Sequence, residues 1–427
     1  MLKQRDWRLL VHVRLCVMLV FFSMAASAGT FTVIYTFQGG QDGSNPVGVA
    51  ATPNRVLYGA TMWGGGQCRP YMGCGTVFSL TPPTAPGSAW TESVYAFSYY
   101  AGFNPTGITV GRGGAVLYGV TSSGNRCGGY VFELSPPSST SSWKESVLAS
   151  QCTGLANPWA TPVVGPKGIL YVASIENYGS IFSLTPPSPE GGPWTVSAIQ
   201  TFNGRDGDEP NAVAVGESGA LYGTTVKGGT ASPLLGTVYS LTPPAAPGGE
   251  WIENILHSFT GMDGDGANPL TGVLIGSGGV LYGTTVGGGA TNCDPSNCGT
   301  VYSLVPPGPS GGGSYQVIYN FNGLSNGDGS APLGGLIGLN GILYGTTAQG
   351  GTGNSVKCSG GCGTIFSLTP PSSPGGAWTE SVLYKFTGNA DGSYPVGTLA
   401  VDSNGVLYGV AQHSGEGGYG TVFSFKP

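Results

Sequence analysis

A chain of 427 residues with 78 glycines, 40% hydrophobic and only 8% charged residues is neither disordered nor collagen-like. Disorder couples low hydrophobicity to high charge, and a triple helix needs glycine at every third position. The formal net charge of −6 becomes −9 without residues 1–28, which hold four of the 15 Lys+Arg and one of the 21 Asp+Glu; a surface of that sign repels a phosphate backbone, so nucleic acid is not an expected partner.

In chain order the first element is a leader. Lys3, Arg5, Arg8 and Arg14 precede the apolar run "LCVMLVFF", and "AASA" offers an A-x-A cleavage site after Ala28. That pattern predicts a secretory signal peptide over residues 1–28 and a secreted or periplasmic protein. No later stretch reaches the roughly 20 apolar residues of a membrane span. Residues 29–427 read as a single domain, expected to be monomeric.

The phrase around Tyr58 then returns at Tyr118, Tyr171, Tyr222, Tyr282, Tyr344 and Tyr408, spaced 60, 53, 51, 60, 62 and 64 residues apart. Each copy keeps one order: an x-Pro segment such as "NPVGVAA", a polar turn, "LYG", a Gly-rich loop, "GTVFSL", then "TPPxxPGGxW" leading into a run like "TESVLYKF". Four short apolar segments bounded by Gly, Pro, Asn and Asp predict four strands per unit. Apolar and small residues on both faces fit strands covered on both sides. Seven such sheets in a ring make an all-β, seven-bladed β-propeller with four antiparallel strands per blade. The lone first strand "FTVIYTF" (31–37) matches the fourth strand that the last copy lacks, so the N-terminal strand is expected to close the last blade. The glycine of "LYG" is read as the point where a neighbouring sheet comes close.

With strands named a to d from the axis outward, the b–c loops and d–a crossovers share one face. Cys127 falls in such a loop and Cys152 in the next crossover. The remaining exported cysteines pair locally, giving Cys68–Cys74, Cys127–Cys152, Cys293–Cys298 and Cys358–Cys362 as expected disulfides rather than zinc ligands.

The units "LYGTT..GG......GTVFSL" resemble the GloVer tandem repeat of exported "choice-of-anchor" bacterial proteins, over essentially the whole chain after the leader. Blades two ("LYGVTSSG", "GGYVFEL") and three ("LYVASIEN", "GSIFSL") depart most. The resemblance implies an exported repeat protein and brings no catalytic residues and no cofactor.

Several features are candidates for a site. "DGxxP" recurs at 42–46, 206–210, 265–269, 328–332 and 391–395; a turn outweighs calcium, which is weighed only near Asp263 and Asp265. Trp90, Trp143, Trp194, Trp251 and Trp378 start strand d, with Tyr315 read as the counterpart in blade five, all packing on the outer edge of the sheet. Trp63 and Trp159 break that pattern, and Tyr99 and Tyr100 lie near the same face. Five residues beyond each repeat Tyr stand Trp63, Ser123, Glu176, Lys227, Gly287, Gln349 and His413, a variable ring on a constant frame, as repeat scaffolds build recognition surfaces. Both aromatics and ring have a bland reading, as gap-filling and as free loops. No nucleophile elbow or P-loop is present. The expected function is a non-catalytic binding scaffold whose ligand, a glycan or protein, sits on the b–c/d–a face. A carbohydrate-active enzyme (polysaccharide lyase or glycoside hydrolase), in which Glu176 and His413 from blades three and seven act as acid and base only if the ring brings them together, and a purely structural envelope component are the alternatives.

Overall fold

In a computed structural model, residues 29–427 are described apart from 67–72, 86, 99–101, 115, 125–126, 139–140, 156, 189–190, 247, 290–297, 309–310, 352–357 and 374. The expected leader, residues 1–28, lies outside them. Among the described residues the strands form seven blade sheets, six pairing successive strands in chain order and the seventh taking in the first strand, while two short two-stranded pairs, Gly266–Ala267 with Gly287–Gly288 and Gly329–Ser330 with Gln349–Gly350, extend blades five and six. Blade one is Ser44–Ala51, Leu57–Gly65, Gly73–Thr81 and Thr91–Ala96. Blade seven joins Ser393–Val401, Leu407–His413 and Thr421–Lys426 to the N-terminal strand Thr30–Thr36. Phe31 pairs with Phe425 and Thr36 with Thr421. The chain is an all-β, seven-bladed β-propeller closed by its first strand, as the sequence predicts.

The repeated phrase has a local cause within each sheet. Gly59, the glycine of "LYG", stands directly opposite Phe78 of strand c. The Phe78 ring occupies the space a Cβ would need. The same overlap recurs at Gly119 with Phe132, Gly223 with Tyr239, Gly283 with Tyr302, Gly345 with Phe366 and Gly409 with Phe423. The close approach is therefore made by the blade's own third strand, not by a neighbouring sheet. Beyond it lies a buried hydroxyl pair: Thr61 with Thr76 (2.8 Å), Thr225 with Thr237 (2.9 Å), Thr285 with Thr300 (2.8 Å) and Thr347 with Thr364 (2.8 Å). Each first member also donates to a backbone carbonyl two residues on, so neither hydroxyl of these four pairs is stranded.

Between blades the constant parts meet in one arrangement. A glycine at the beginning of strand c or just before it would drive a Cβ into Cδ of the x-Pro proline of the next blade: Gly75 against Pro105, Gly129 against Pro158, Gly179 against Pro210, Gly236 against Pro269, Gly299 against Pro332, Gly363 against Pro395 and Gly420 against Pro46. Six of the residues before these prolines (Asn45, Asn104, Glu209, Asn268, Ala331 and Tyr394) have φ between +51° and +61°. A left-handed backbone costs a non-glycine residue on the order of 1 kcal/mol. Bonds across the seam offset that cost. Asn45, Glu209, Asn268, Ala331 and Tyr394 each donate the backbone N–H to a carbonyl at the end of the previous blade's b–c loop, at 2.8–3.2 Å.

Further out, the tryptophans at the start of strand d pack edge-on against the "LYG" tyrosine of the preceding blade: Trp90 on Tyr408, Trp143 on Tyr58, Trp194 on Tyr118, Trp251 on Tyr171 and Trp378 on Tyr282. They are seam residues rather than caps on the sheet edge. Tyr315 is not their counterpart. It pairs with Leu304 as Glu380 pairs with Leu368, so it occupies the glutamate position two residues later. The seam between blades seven and one carries the full set, with Arg55 Nε 3.1 Å from Asp402 added on the opposite face.

The Cys127–Cys152 and Cys358–Cys362 disulfides are formed. Cys74 and Cys298 are also disulfide-bonded; their expected partners Cys68 and Cys293 lie outside the described residues.

Substituting a seam glycine should cost more than substituting a turn glycine. Gly420→Ala places a Cβ 2.5 Å from Pro46 Cδ at φ +103° and should lower stability by about 3 kcal/mol or more. Gly278→Ala, at φ +69° with open space around it, should cost about 1 kcal/mol. Urea denaturation of the two variants checks the difference.

Candidate functional site

Strand a is the innermost strand of each blade, and the x-Pro proline fixes where it enters. The residue after that proline therefore points toward the axis at the mouth of the b–c/d–a face. All seven of these residues line one cavity of about 460 Å³: Val47, Thr106, Trp159, Asn211, Leu270, Leu333 and Val396. Its lining contains no Asp, Glu, Lys, Arg or His. An adjoining recess of about 370 Å³ shares Trp159, Asn211, Leu270, Leu333 and Val396 and adds Ile175, Val226 and Glu209.

Deeper in, the strands converge because the next positions are small. A Cβ on Gly397 would lie 2.6 Å from Val47 O, and one on Gly334 2.5 Å from Gly397 O. Asn211 is tied into this neck, its Nδ2 donating to Pro269 O (2.9 Å) and Thr224 Oγ1 (3.1 Å). Trp159 and Leu270 stand at the mouth, 45% and 40% exposed. The site is an uncharged, largely apolar socket with a solvent-exposed mouth.

The positions five beyond the repeat tyrosines end strand b around the rim, and none lines this cavity. Trp63 pairs with Ser44, Ser123 with Phe103, Lys227 with Asp208, Gly287 with Ala267, Gln349 with Ser330 and His413 with Ser393. Side chains alternate along a strand, so it is the preceding residue that reaches the socket, as Met62, Gln412, Ile175 and Val226 do. Glu176 accepts from Gln151 (3.2 Å), and His413 Nδ1 pairs with Asn45 Nδ2 (3.3 Å). No contact joins Glu176 to His413. Partial burial holds the His413 imidazole below its ordinary value. Lys227 donates to Glu209 (2.6 Å), which holds its ammonium above its ordinary value. Of the off-pattern aromatics expected near this face, Trp159 enters the socket and Trp63 stays on the rim; Tyr99 and Tyr100 lie outside the described residues. The missed ring had a signal, namely a variable residue directly after a repeated proline.

The "DGxxP" aspartates act within their turns. Asp265 accepts from the backbone N–H of Thr260 (2.8 Å) and the Tyr315 hydroxyl (2.7 Å), with His257 Nε2 3.3 Å from both oxygens. Burial would raise its pKa, but the His257, Tyr315 and Thr260 bonds together bring it down to about 2. Asp263 stands two residues earlier in the same turn, exposed, with φ +54°. Among the described residues no three Asp, Glu, His or Cys side chains gather as a metal site would require.

Geometry and repeat place the molecule among β-propellers built from tandem repeats. The profile of the Gloeobacter/Verrucomicrobia repeat matches residues 173–423, and the chain belongs to that family. No curated protein matches it in sequence. Among solved structures it is similar to Sqt1 from Chaetomium thermophilum (14% identity, 90% of this chain and 89% of that one, TM-score 0.48). It is also similar to Trypanosoma rangeli sialidase in complex with sialic acid (10% identity, 94% of this chain and 59% of that one, TM-score 0.42).

The ring should separate into holders and presenters. Asn211→Ala strands buried polar groups and should lower stability by about 1–3 kcal/mol. Trp159→Ala should change it by less than about 1 kcal/mol, since half the ring faces solvent. Thermal denaturation of both variants tests the distinction.

Proposed function

We propose that this protein is an exported, non-catalytic interaction scaffold that captures an apolar side chain of a protein or peptide partner in the axial socket. The repeat family and the propeller fold suit a binding or scaffold role. The observation that carries the finer reading is the convergence of one variable side chain from every blade on a single uncharged cavity. Seven constant prolines present side chains of five kinds (Val, Thr, Trp, Asn and Leu), which is how a repeat frame is given one specificity.

The surrounding face supports a macromolecular partner. Tyr178, Leu234, Met262, Leu324 and Tyr419 are 39–55% exposed and lie in b–c loops or d–a crossovers, on the same face as Trp159 and Leu270. Among the described residues only Val147, Ile252 and Val305 are comparably exposed elsewhere. Apolar side chains collected on one face mark an interaction surface. An apolar socket ringed by them suits the aromatic or aliphatic anchor that dominates protein interfaces. A sugar would ask for more hydrogen-bonding groups than the four threonines, Gln412, the Trp159 indole and the already engaged Asn211 provide. Acid–base chemistry would need ionisable groups, and the carboxylate of the recess, Glu209, is held by Lys227. The leader expected over residues 1–28, together with the disulfides, supports an oxidising, extracytoplasmic location.

A phage-displayed random peptide library panned on the purified protein should enrich peptides with a Trp, Phe or Leu anchor, and Trp159→Ala should weaken the best of them at least about tenfold. Enrichment of no peptide, or affinity unchanged in both Trp159→Ala and Leu270→Ala, would refute the reading. Selective binding on a neutral glycan array would replace it with the sugar alternative.

A further inference from the structure

The crossover that delivers Trp159 to the socket is tied down differently from the others. In six blades a buried phenylalanine follows strand d: Phe37, Phe97, Phe202, Phe259, Phe321 and Phe386. Each donates its N–H to the carbonyl of its own blade's seam glycine, at 3.0–3.1 Å. In five of these crossovers an aspartate four residues before the x-Pro proline accepts the next N–H along. Asp42 takes it from Gln38, Asp206 from Asn203, Asp265 from Thr260, Asp328 from Asn322 and Asp391 from Thr387, at 2.7–2.8 Å.

Between blades two and three the sequence lacks both devices. Gln151 stands where the phenylalanine would, and Gly154 where the aspartate would, four residues before Pro158. The Gln151 N–H donates to Cys127 O (3.0 Å), and the Cys127–Cys152 disulfide joins the crossover to the b–c loop of blade two. Leu155 is fully buried in one cluster with Phe182, and the Thr153 hydroxyl donates to Ser150 O (2.9 Å). A covalent bond does here what phenylalanine and aspartate do elsewhere.

This disulfide is also the accessible one. Cys152 is exposed and Cys127 half-buried, whereas Cys74, Cys298, Cys358 and Cys362 are at most 8% exposed. Exchange begins when a thiolate reaches a disulfide sulfur, so access selects which bond opens first.

We propose, on the reading of Trp159 as part of the binding socket, that Cys127–Cys152 is a redox latch that positions Trp159, closed when oxidised and opened by a dithiol reductant. One reductant thiolate attacks Cys152 Sγ, the S–S bond breaks, and Cys127 leaves as a thiolate that takes a proton from water. The second reductant thiol, as its thiolate, then attacks the mixed disulfide, freeing Cys152 and closing the reductant's own disulfide. Two electrons pass to the protein, which ends with two thiols.

With the bond open, the crossover has neither phenylalanine nor aspartate to hold it to blade two. Trp159 stays paired to blade three, its N–H on Ala173 O (3.0 Å) and the Ile175 N–H on Asn157 O (3.3 Å). Its spacing from blade two is then free to change. Trp159 shares the cavity with Thr106 of blade two, so the width of the socket between them depends on that spacing.

The native protein is titrated with dithiothreitol, and free cysteines are trapped with iodoacetamide and located by peptide mass spectrometry. Cys127 and Cys152 should be labelled at least about tenfold faster than Cys358 and Cys362. Hydrogen exchange of the partly reduced protein should quicken at least about tenfold at the Gln151, Leu155 and Trp159 amides, with the strands of blade six unchanged. The strongest peptide from the panned library should lose at least about fivefold in affinity on this reduction. Cys358→Ala/Cys362→Ala should leave that affinity unchanged. Labelling of Cys358 and Cys362 as early as Cys127 and Cys152, or unchanged exchange at Trp159, overturns the latch whether or not any peptide binds. A peptide that binds oxidised and reduced protein equally overturns the latch alone and leaves the socket reading standing.

Discussion

A proline ring resting where a glycine has no side chain holds one blade against the next, and it does so at all seven seams. Because the contact joins the start of strand a to the end of a b–c loop, it sets where each innermost strand enters and which way its next side chain points. At six seams the backbone before the proline lies in the left-handed region, and at five of them a hydrogen bond to the neighbouring blade pins it there. Strain of that kind persists only where the surroundings over-determine it. Here two blades share the task, which makes the seam a joint property of both.

The ring closes because the last seam is chemically the same as the others. Gly420 meets Pro46, Trp90 packs on Tyr408, and Asn45 donates to Tyr419, although the paired residues lie near opposite ends of the chain. The first strand then completes the seventh sheet, leaving it no unpaired third strand. Function follows from that regularity. In the proposed reading, similar joints deliver side chains of five kinds to one axial cavity, so recognition could vary there without disturbing the frame.

Much of this was legible in the sequence. The strand count, the closing strand and the Cys127–Cys152 pair follow from repeat spacing and from the direction in which strands alternate. What was not legible depended on which neighbour a repeated residue touches. The glycine of "LYG" meets its own blade's aromatic, while the tryptophan after "PGG" meets the previous blade, and spacing alone does not separate the two. The recognition ring was missed by a register argument. Trp63 and His413 sit on the same strands as Met62 and Gln412, yet one residue along a strand turns a side chain from the socket to the rim. Tyr315 was misplaced by two residues because an aromatic was sought where blade five has Gly313.

The central claim, that seven equivalent seams close the circle, can be measured at the amides that cross them. Native-state hydrogen exchange of Asn45, Glu209, Asn268, Ala331 and Tyr394, resolved by NMR, should find all five protected to a similar degree, with Asn45 at the closing seam no weaker than the rest. Exchange at Asn45 faster by orders of magnitude than at the other four would mean that the ring is open where its ends meet, and the axial socket would lose its frame.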